Sequence, residues 1–187
     1  VKAGKSSFLN ALIFDGDNYL PKAATPMTAA LTKLGYSEKS YAIINFYSSE
    51  DWEGVLAESN KLKRIVNERL NELKKEYDKR QLSDAQGVII LPEPTFESVT
   101  QRCKSENKIT QVMIDCYNLE KMKNESTIFL DDWFGKTERI EGNVVTRLFD
   151  YIGADGKYAS IVKYAEIYLD NPLLKGIEII DTPGLND

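Results

Sequence analysis

The period of the hydrophobic pattern changes several times along the chain. Residues 41–47, Tyr-Ala-Ile-Ile-Asn-Phe-Tyr, are rich in β-branched and aromatic side chains and predict a strand. A second strand is expected over residues 28–36, with a turn at residues 37–39 between them, so that the pair forms the antiparallel edge of a mostly parallel sheet. Beyond residue 49 the period becomes helical: Trp52, Val55, Leu56, Leu62, Ile65, Val66, Leu70, Leu73 and Tyr77 share one stripe. Ser49 is the expected cap of that helix, and Glu50, Asp51 and Glu53 in its first turn suit the helix dipole. The opposite face mixes Lys and Glu, which marks a solvated face and argues against a basic helix lying on a membrane.

Further along, a loop is expected over residues 81–87, then a short apolar patch at 88–91 and a break at Pro92 and Pro94. Helices are predicted over residues 95–104, 110–123 and 143–152, the last stopped by Gly153. Residues 164–169 alternate as a strand, and Asn171-Pro172 turns the chain in hairpin fashion into a final strand at 177–180. Near the start, Phe8-Leu9-Asn10-Ala11-Leu12 reads as helix.

Chemistry enters at the two ends of this pattern. Ala3-Gly4-Lys5-Ser6-Ser7, opening the first helix, is the second half of a G-x-x-x-x-G-K-[ST] phosphate-binding loop. Backbone N–H groups around Gly4 would cradle phosphates at the helix N-terminus, Lys5 would reach the β and γ oxygens, and the Ser6 hydroxyl would ligate Mg²⁺. At the other end the strand at 177–180 runs into Asp181-Thr182-Pro183-Gly184, the Asp-x-x-Gly pattern that follows a strand in P-loop GTPases. There the aspartate holds a Mg²⁺-bound water and the glycine N–H senses the γ-phosphate. Either motif alone is an ordinary turn; the two together point to a nucleotide site.

These segments, with Leu20-Pro21 and Thr28 between them and Ile-Ile-Asp-Thr-Pro-Gly-Leu-Asn-Asp at the end, resemble the GTPase domain of dynamin-superfamily proteins, especially bacterial dynamin-like ones. The resemblance implies phosphate and Mg²⁺ roles for Gly4, Lys5, Ser6 and Ser7, a switch role for Thr28, and switch roles for Asp181 and Gly184. Thr25 is the rival of Thr28, which is favoured by its spacing from Pro21. Lys2 stands where similar proteins often carry a short polar residue, and Leu185 where Ras-like enzymes keep a water-orienting glutamine. Water would then be positioned through the Thr28 backbone and neighbouring loops. The implied fold is an α/β P-loop NTPase with a mostly parallel sheet flanked by helices. The wide separation of the two motifs calls for a helical insertion between the switch regions, at about residues 50–125 of a partial GTPase domain covering 1–187. Its expected work is packing against other domains, covering the nucleotide or docking a protein.

The implied activity is Mg²⁺-dependent GTP binding and hydrolysis, coupled to self-association through the GTPase domain and to membrane remodelling. Cytoplasmic location follows, with peripheral membrane association through regions outside this chain. The guanine-reading Asn-Lys-x-Asp motif is absent, so GTP and GDP specificity rests on the resemblance. A chain truncated at both ends, and inactive by itself, is expected on the same ground. Two other readings stand beside this one: an Era-type regulatory GTPase with a protein or RNA partner, and a non-hydrolysing nucleotide-binding scaffold.

Composition narrows the field without deciding it. With 42% hydrophobic and 28% charged residues among 187, the chain can bury a sizeable core. A net charge of −5 argues against a surface that coats nucleic acid. There is no histidine, so no imidazole general base is available. Cys103 and Cys116 show no metal or redox spacing and are expected as reduced thiols. Asp131-Asp132 is read as a solvated or capping pair in preference to an acid–base site. No apolar run approaches the roughly 18 residues needed to cross a bilayer.

Overall fold

The computed structural model describes residues 5–13, 31–83, 92–153 and 156–181. They fall into two compact units, one of Val1–Gly54 with Asn118–Asp187 and one of Val55–Tyr117.

Among the described residues the first unit is built on a five-stranded sheet. Its strands are β1 (Leu31–Tyr36), β2 (Tyr41–Phe46), β3 (Thr137–Glu141), β4 (Val162–Leu169) and β5 (Ile179–Asp181), in the spatial order β3-β2-β4-β1-β5. Among the described residues β1 and β4 pair in parallel, and the other three neighbouring pairs are antiparallel. The expected mostly parallel sheet is therefore corrected to a mixed, mainly antiparallel one. Both expected hairpins are corrected as well, because a third strand lies inside each: β4 separates β1 from β2, and β1 separates β4 from β5.

The first insertion is feasible because two strand spacings, about 9–10 Å, are within reach of the four residues from Ser37 to Ser40. That loop wraps the end of β4. The Ser37 N–H donates to the Leu169 carbonyl at 3.0 Å, and the Asp170 N–H donates to Ser40 Oγ at 3.2 Å. β4 takes the middle because its buried side chains, Val162, Ala165, Ile167 and Leu169, have partners on both sides, whereas β3 buries only Ile140.

Alternation also fits β2, where Ala42, Ile44 and Phe46 are buried and Tyr41, Ile43 and Asn45 are half-buried. Helix α1 (Lys5–Ile13) buries Leu9, Asn10 and Ile13. Helix α5 (Val144–Ile152) buries Val144, Leu148, Tyr151 and Ile152, the i, i+4, i+7, i+8 positions of one face, and lies against β2, β3 and β4. It stops at Gly153, whose φ of −65° is ordinary; glycine is needed there because a Cβ would meet the Phe149 carbonyl oxygen at 2.5 Å.

Helix α2 (Ser49–Ser83) is 35 residues long, about 50 Å, and extends through residues 81–83 where a loop was expected. Its cap is Ser48, not Ser49. The Asp51 N–H donates to Ser48 Oγ at 3.1 Å and the Ser48 N–H donates back to Asp51 Oδ2 at 3.0 Å, a reciprocal box that satisfies two otherwise orphaned donors. The expected apolar patch at 88–91 lies outside the described residues.

The second unit packs α2 beyond Gly54 with α3 (Phe96–Ser105) and the first part of α4 (Gln111–Glu125). Leu62, Val66, Val99, Cys103 and Ile109 form its core, flanked by Ile65, Leu70, Phe96 and Tyr117. Thr95 and Ser98 cap α3 reciprocally, at 3.2 Å and 3.0 Å. Cys103 is buried and Cys116 half-buried, and both thiols are free. Among the described residues no helix is long and apolar enough to cross a membrane.

Candidate functional site

Sequence reasoning placed its site at the start of α1, before β1 and after β5. Lys5 and Ser6 open α1, with only their backbone described, and Ser7 follows them on an exposed part of the helix. Ala3, Gly4, Thr25, Thr28, Gly184, Lys2 and Leu185 lie outside the described residues. Asp181 is the last residue of β5, again described by its backbone.

The sheet register brings several of these approaches together. In the antiparallel β1/β5 pair Thr32 faces Asp181, so β5 ends beside the start of β1. Thr28 precedes Leu31 by three positions and Gly184 follows Asp181 by three. The two segments named as switches therefore join the sheet at the same end. The parallel β1/β4 pair, with Leu31 facing Tyr164, puts the start of β4 at that end, and Phe46 facing Val162 adds the end of β2. Lys33 Nζ, 2.8 Å from Glu178 Oε1, ties the chain approaching β5 to β1, and that carboxylate raises the ammonium pKa above its ordinary value.

Helix α1 presents the right polarity. Its first turn has no acidic side chain, so the unpaired N–H groups and the positive end of the dipole are not neutralised from within the helix. Its other end is anchored: Asn171 Nδ2 donates to the Ile13 carbonyl at 3.3 Å, and Asn171 lies just past the C-terminal end of β4. The N-terminal end of the helix, where the sequence pattern predicts phosphate binding, is thus the end opposite that anchor.

A triphosphate with magnesium fits what these residues offer: a helix N-terminus free of acids, followed by an exposed serine, and an aspartate at a strand end beside the start of β1. Among the described residues no group of three or more Cys, Asp or Glu side chains could hold a metal on its own. Magnesium at a nucleotide takes most of its ligands from phosphate oxygens and water, so one carboxylate and one or two hydroxyls suffice. Asp131 and Asp132 do not contribute; they sit exposed in a 3₁₀ turn at Leu130–Asp132.

One contact at this end of the sheet was not anticipated. Lys163 Nζ sits 2.8 and 2.9 Å from the two carboxylate oxygens of Asp51. The ammonium, followed by the Ser48 N–H and hydroxyl, pulls the Asp51 carboxyl down to about 2. Asp51 was read only as an acid in a first turn, and nothing in the local pattern links residues 112 positions apart.

The sequence matches the dynamin family over residues 1–187. It is similar to Dynamin-like protein 1 of Campylobacter jejuni subsp. jejuni serotype O:23/36 (strain 81-176), at 24% identity over 188 residues, which take in 100% of this chain and 18% of that relative's length. The resemblance carried by Gly4-Lys5-Ser6 and Asp181-Thr-Pro-Gly184 is therefore borne out along the whole sequence. The chain belongs to the dynamin family of GTPases.

Proposed function

We propose that this chain binds GTP with Mg²⁺ and hydrolyses it as part of a GTPase domain whose nucleotide cycle drives self-association and membrane remodelling. The observation that supports the reading is the Thr32–Asp181 register, which sets the end of β5 beside the start of β1. Family membership supports guanine as the base. In this reading the backbone of Ala3, Gly4 and Ser7 donates to phosphate oxygens at the α1 N-terminus, and Lys5 balances their charge. Ser6, Thr28 and Asp181 would hold the magnesium ion, and the Gly184 N–H would read the terminal phosphate. Bound magnesium supplies neutralisation of the β and γ oxygens. Without a histidine, water is oriented by the Thr28 backbone, so catalysis rests on positioning and charge. The helical segment at about residues 50–125 is assigned to packing or partner docking, since phosphoryl chemistry needs nothing it carries.

The test is titration of the full-length protein with fluorescent GTP and ATP in Mg²⁺, beside Lys5→Ala. The expected result is preference for GTP and a loss on the order of 100-fold in affinity for the variant, as removal of a charge-assisted contact of about 2.7 kcal/mol implies. Equal, weak binding of both nucleotides with and without Lys5 would overturn the reading.

A further inference from the structure

Two rungs of the β1/β5 pairing lie on the same face of the sheet and differ in chemistry. Leu34 opposite Ile179 is apolar on both strands, and Leu34 is fully buried. Thr32 opposite Asp181 is two positions away along each strand, so by the period of two these positions belong to that same core-facing side. Between them Lys33 and Ile180 take the opposite face, where Lys33 Nζ reaches Glu178 Oε1 at 2.8 Å and Ile180 is exposed. A slip of one residue would exchange the two faces, so Leu34 on one side and the ion pair on the other specify this register.

Thr32 is only 3% exposed, at a position where a β-branched hydrocarbon side chain would suit the strand and the core. Burying a hydroxyl is costly unless it is hydrogen-bonded. Its two cross-strand neighbours are unequal. Across β1/β4 the facing residue is Ala165, fully buried and without a polar side-chain group, whereas across β1/β5 it is Asp181. Directly opposed positions of an antiparallel pair hold their Cβ atoms about 4.5–5.5 Å apart, a separation that a bond from a threonine hydroxyl to a carboxylate spans.

We propose that Thr32 is a positioning residue for Asp181, its hydroxyl donating to one carboxylate oxygen and leaving the other for magnesium or a water on it. This rests on the proposed nucleotide site, in which Asp181 is the carboxylate at the metal. Asp181 is the last residue of β5, so the ladder beyond it supplies no further neighbour on that strand. A donor held in the middle of the sheet sets the carboxylate in place before nucleotide arrives, and less order remains to be lost on binding.

The experiment measures the affinity of the full-length protein for a non-hydrolysable GTP analogue across a Mg²⁺ titration and in EDTA. Thr32→Val keeps the side-chain shape and removes the hydroxyl. It is expected to raise the Mg²⁺ concentration that half-restores tight binding by on the order of tenfold, with the affinity in EDTA unchanged. Thr32→Ser, which keeps the donor, is expected to restore the wild-type value, and Thr32→Ala carries the same expectation as Thr32→Val should the latter disturb packing. In an Asp181→Ala background Thr32→Val is expected to change the Mg²⁺ requirement no further. Denaturation of the same four proteins in EDTA, free of metal and nucleotide, is expected to show the two substitutions coupled by on the order of fivefold in the unfolding equilibrium constant. A hydroxyl that serves the core alone would alter stability equally with and without Asp181 and leave the Mg²⁺ requirement untouched. That result overturns the proposal and leaves the GTPase reading standing, whereas absence of Mg²⁺-dependent nucleotide binding in the wild type overturns both.

Discussion

Single positions show how little of a residue's role is visible in its type. Gly153 and Gly54 are both glycines associated with helices, yet they should respond to alanine in opposite directions. At Gly153 a methyl group would strike the Phe149 carbonyl oxygen at 2.5 Å and its ring at 2.9 Å, so Gly153→Ala should cost about 2 kcal/mol in a chemical-denaturation series. At Gly54, inside α2, nothing lies within 4 Å of the added carbon, so Gly54→Ala should gain about 0.5–1 kcal/mol through the unfolded chain and helix propensity. Asp51 gives a pH signature. Its folded pKa of about 2 is depressed below the ordinary 3.8, so its contribution is fully present above pH 4. That contribution is lost as pH falls towards 2. Wild type should therefore be more stable than Asp51→Asn at pH 6, and the difference should shrink across that acid window in parallel denaturation curves. Equal stabilities at pH 6 would show that neither Lys163 nor the Ser48 cap favours the carboxylate in the folded state. Tyr151 is moved the other way: burial, then its bond to Glu138 at 2.8 Å, pushes its hydroxyl above the usual tyrosine range, so it stays neutral throughout.

At the scale of elements, the helices were the legible part. The stripe from Trp52 to Tyr77 and the acids at 50 and 51 were enough to find α2, because 3.6-residue periodicity is a property of the element alone. Its cap was misplaced by one residue, since Ser48 and Ser49 are chemically alike and only the reciprocal bonds to Asp51 distinguish them. Ser48→Ala should consequently cost about 1 kcal/mol, while Ser49→Ala, at an exposed helical position, should be near neutral. β3 was missed for a physical reason. Thr137-Glu-Arg-Ile-Glu141 is a sheet edge with one buried side chain, Ile140, and its charged positions protect that edge from pairing with another chain. Such a strand carries almost no hydrophobic signal. In the second unit Leu62 is fully buried, so Leu62→Ala should cost about 2–5 kcal/mol, visible as loss of protection across α2 and α3.

For the whole molecule, nucleotide should act as a ligand of the folded state. GTP at 100 times its dissociation constant should add about 2.7 kcal/mol to the stability of the full-length protein, seen as a rise in Tm that Lys5→Ala abolishes. The family was legible from the sequence because the phosphate-loop and Asp-x-x-Gly patterns are short, local and demanding of residue type. The amino-acid sequence by itself determined the family, the helices and the alternation of β4, since these follow from local periodicity and from motifs only a few residues long. It did not determine which strand lies beside which. Alternation tells a strand which face to bury but not its neighbour, and the two expected hairpins were opened by β4 and β1 because burying Ala165, Ile167 and Leu34 in the sheet centre requires partners far away in the chain. Tertiary structure alone set that order, and with it the meeting of Thr32 with Asp181 and of Lys163 with Asp51.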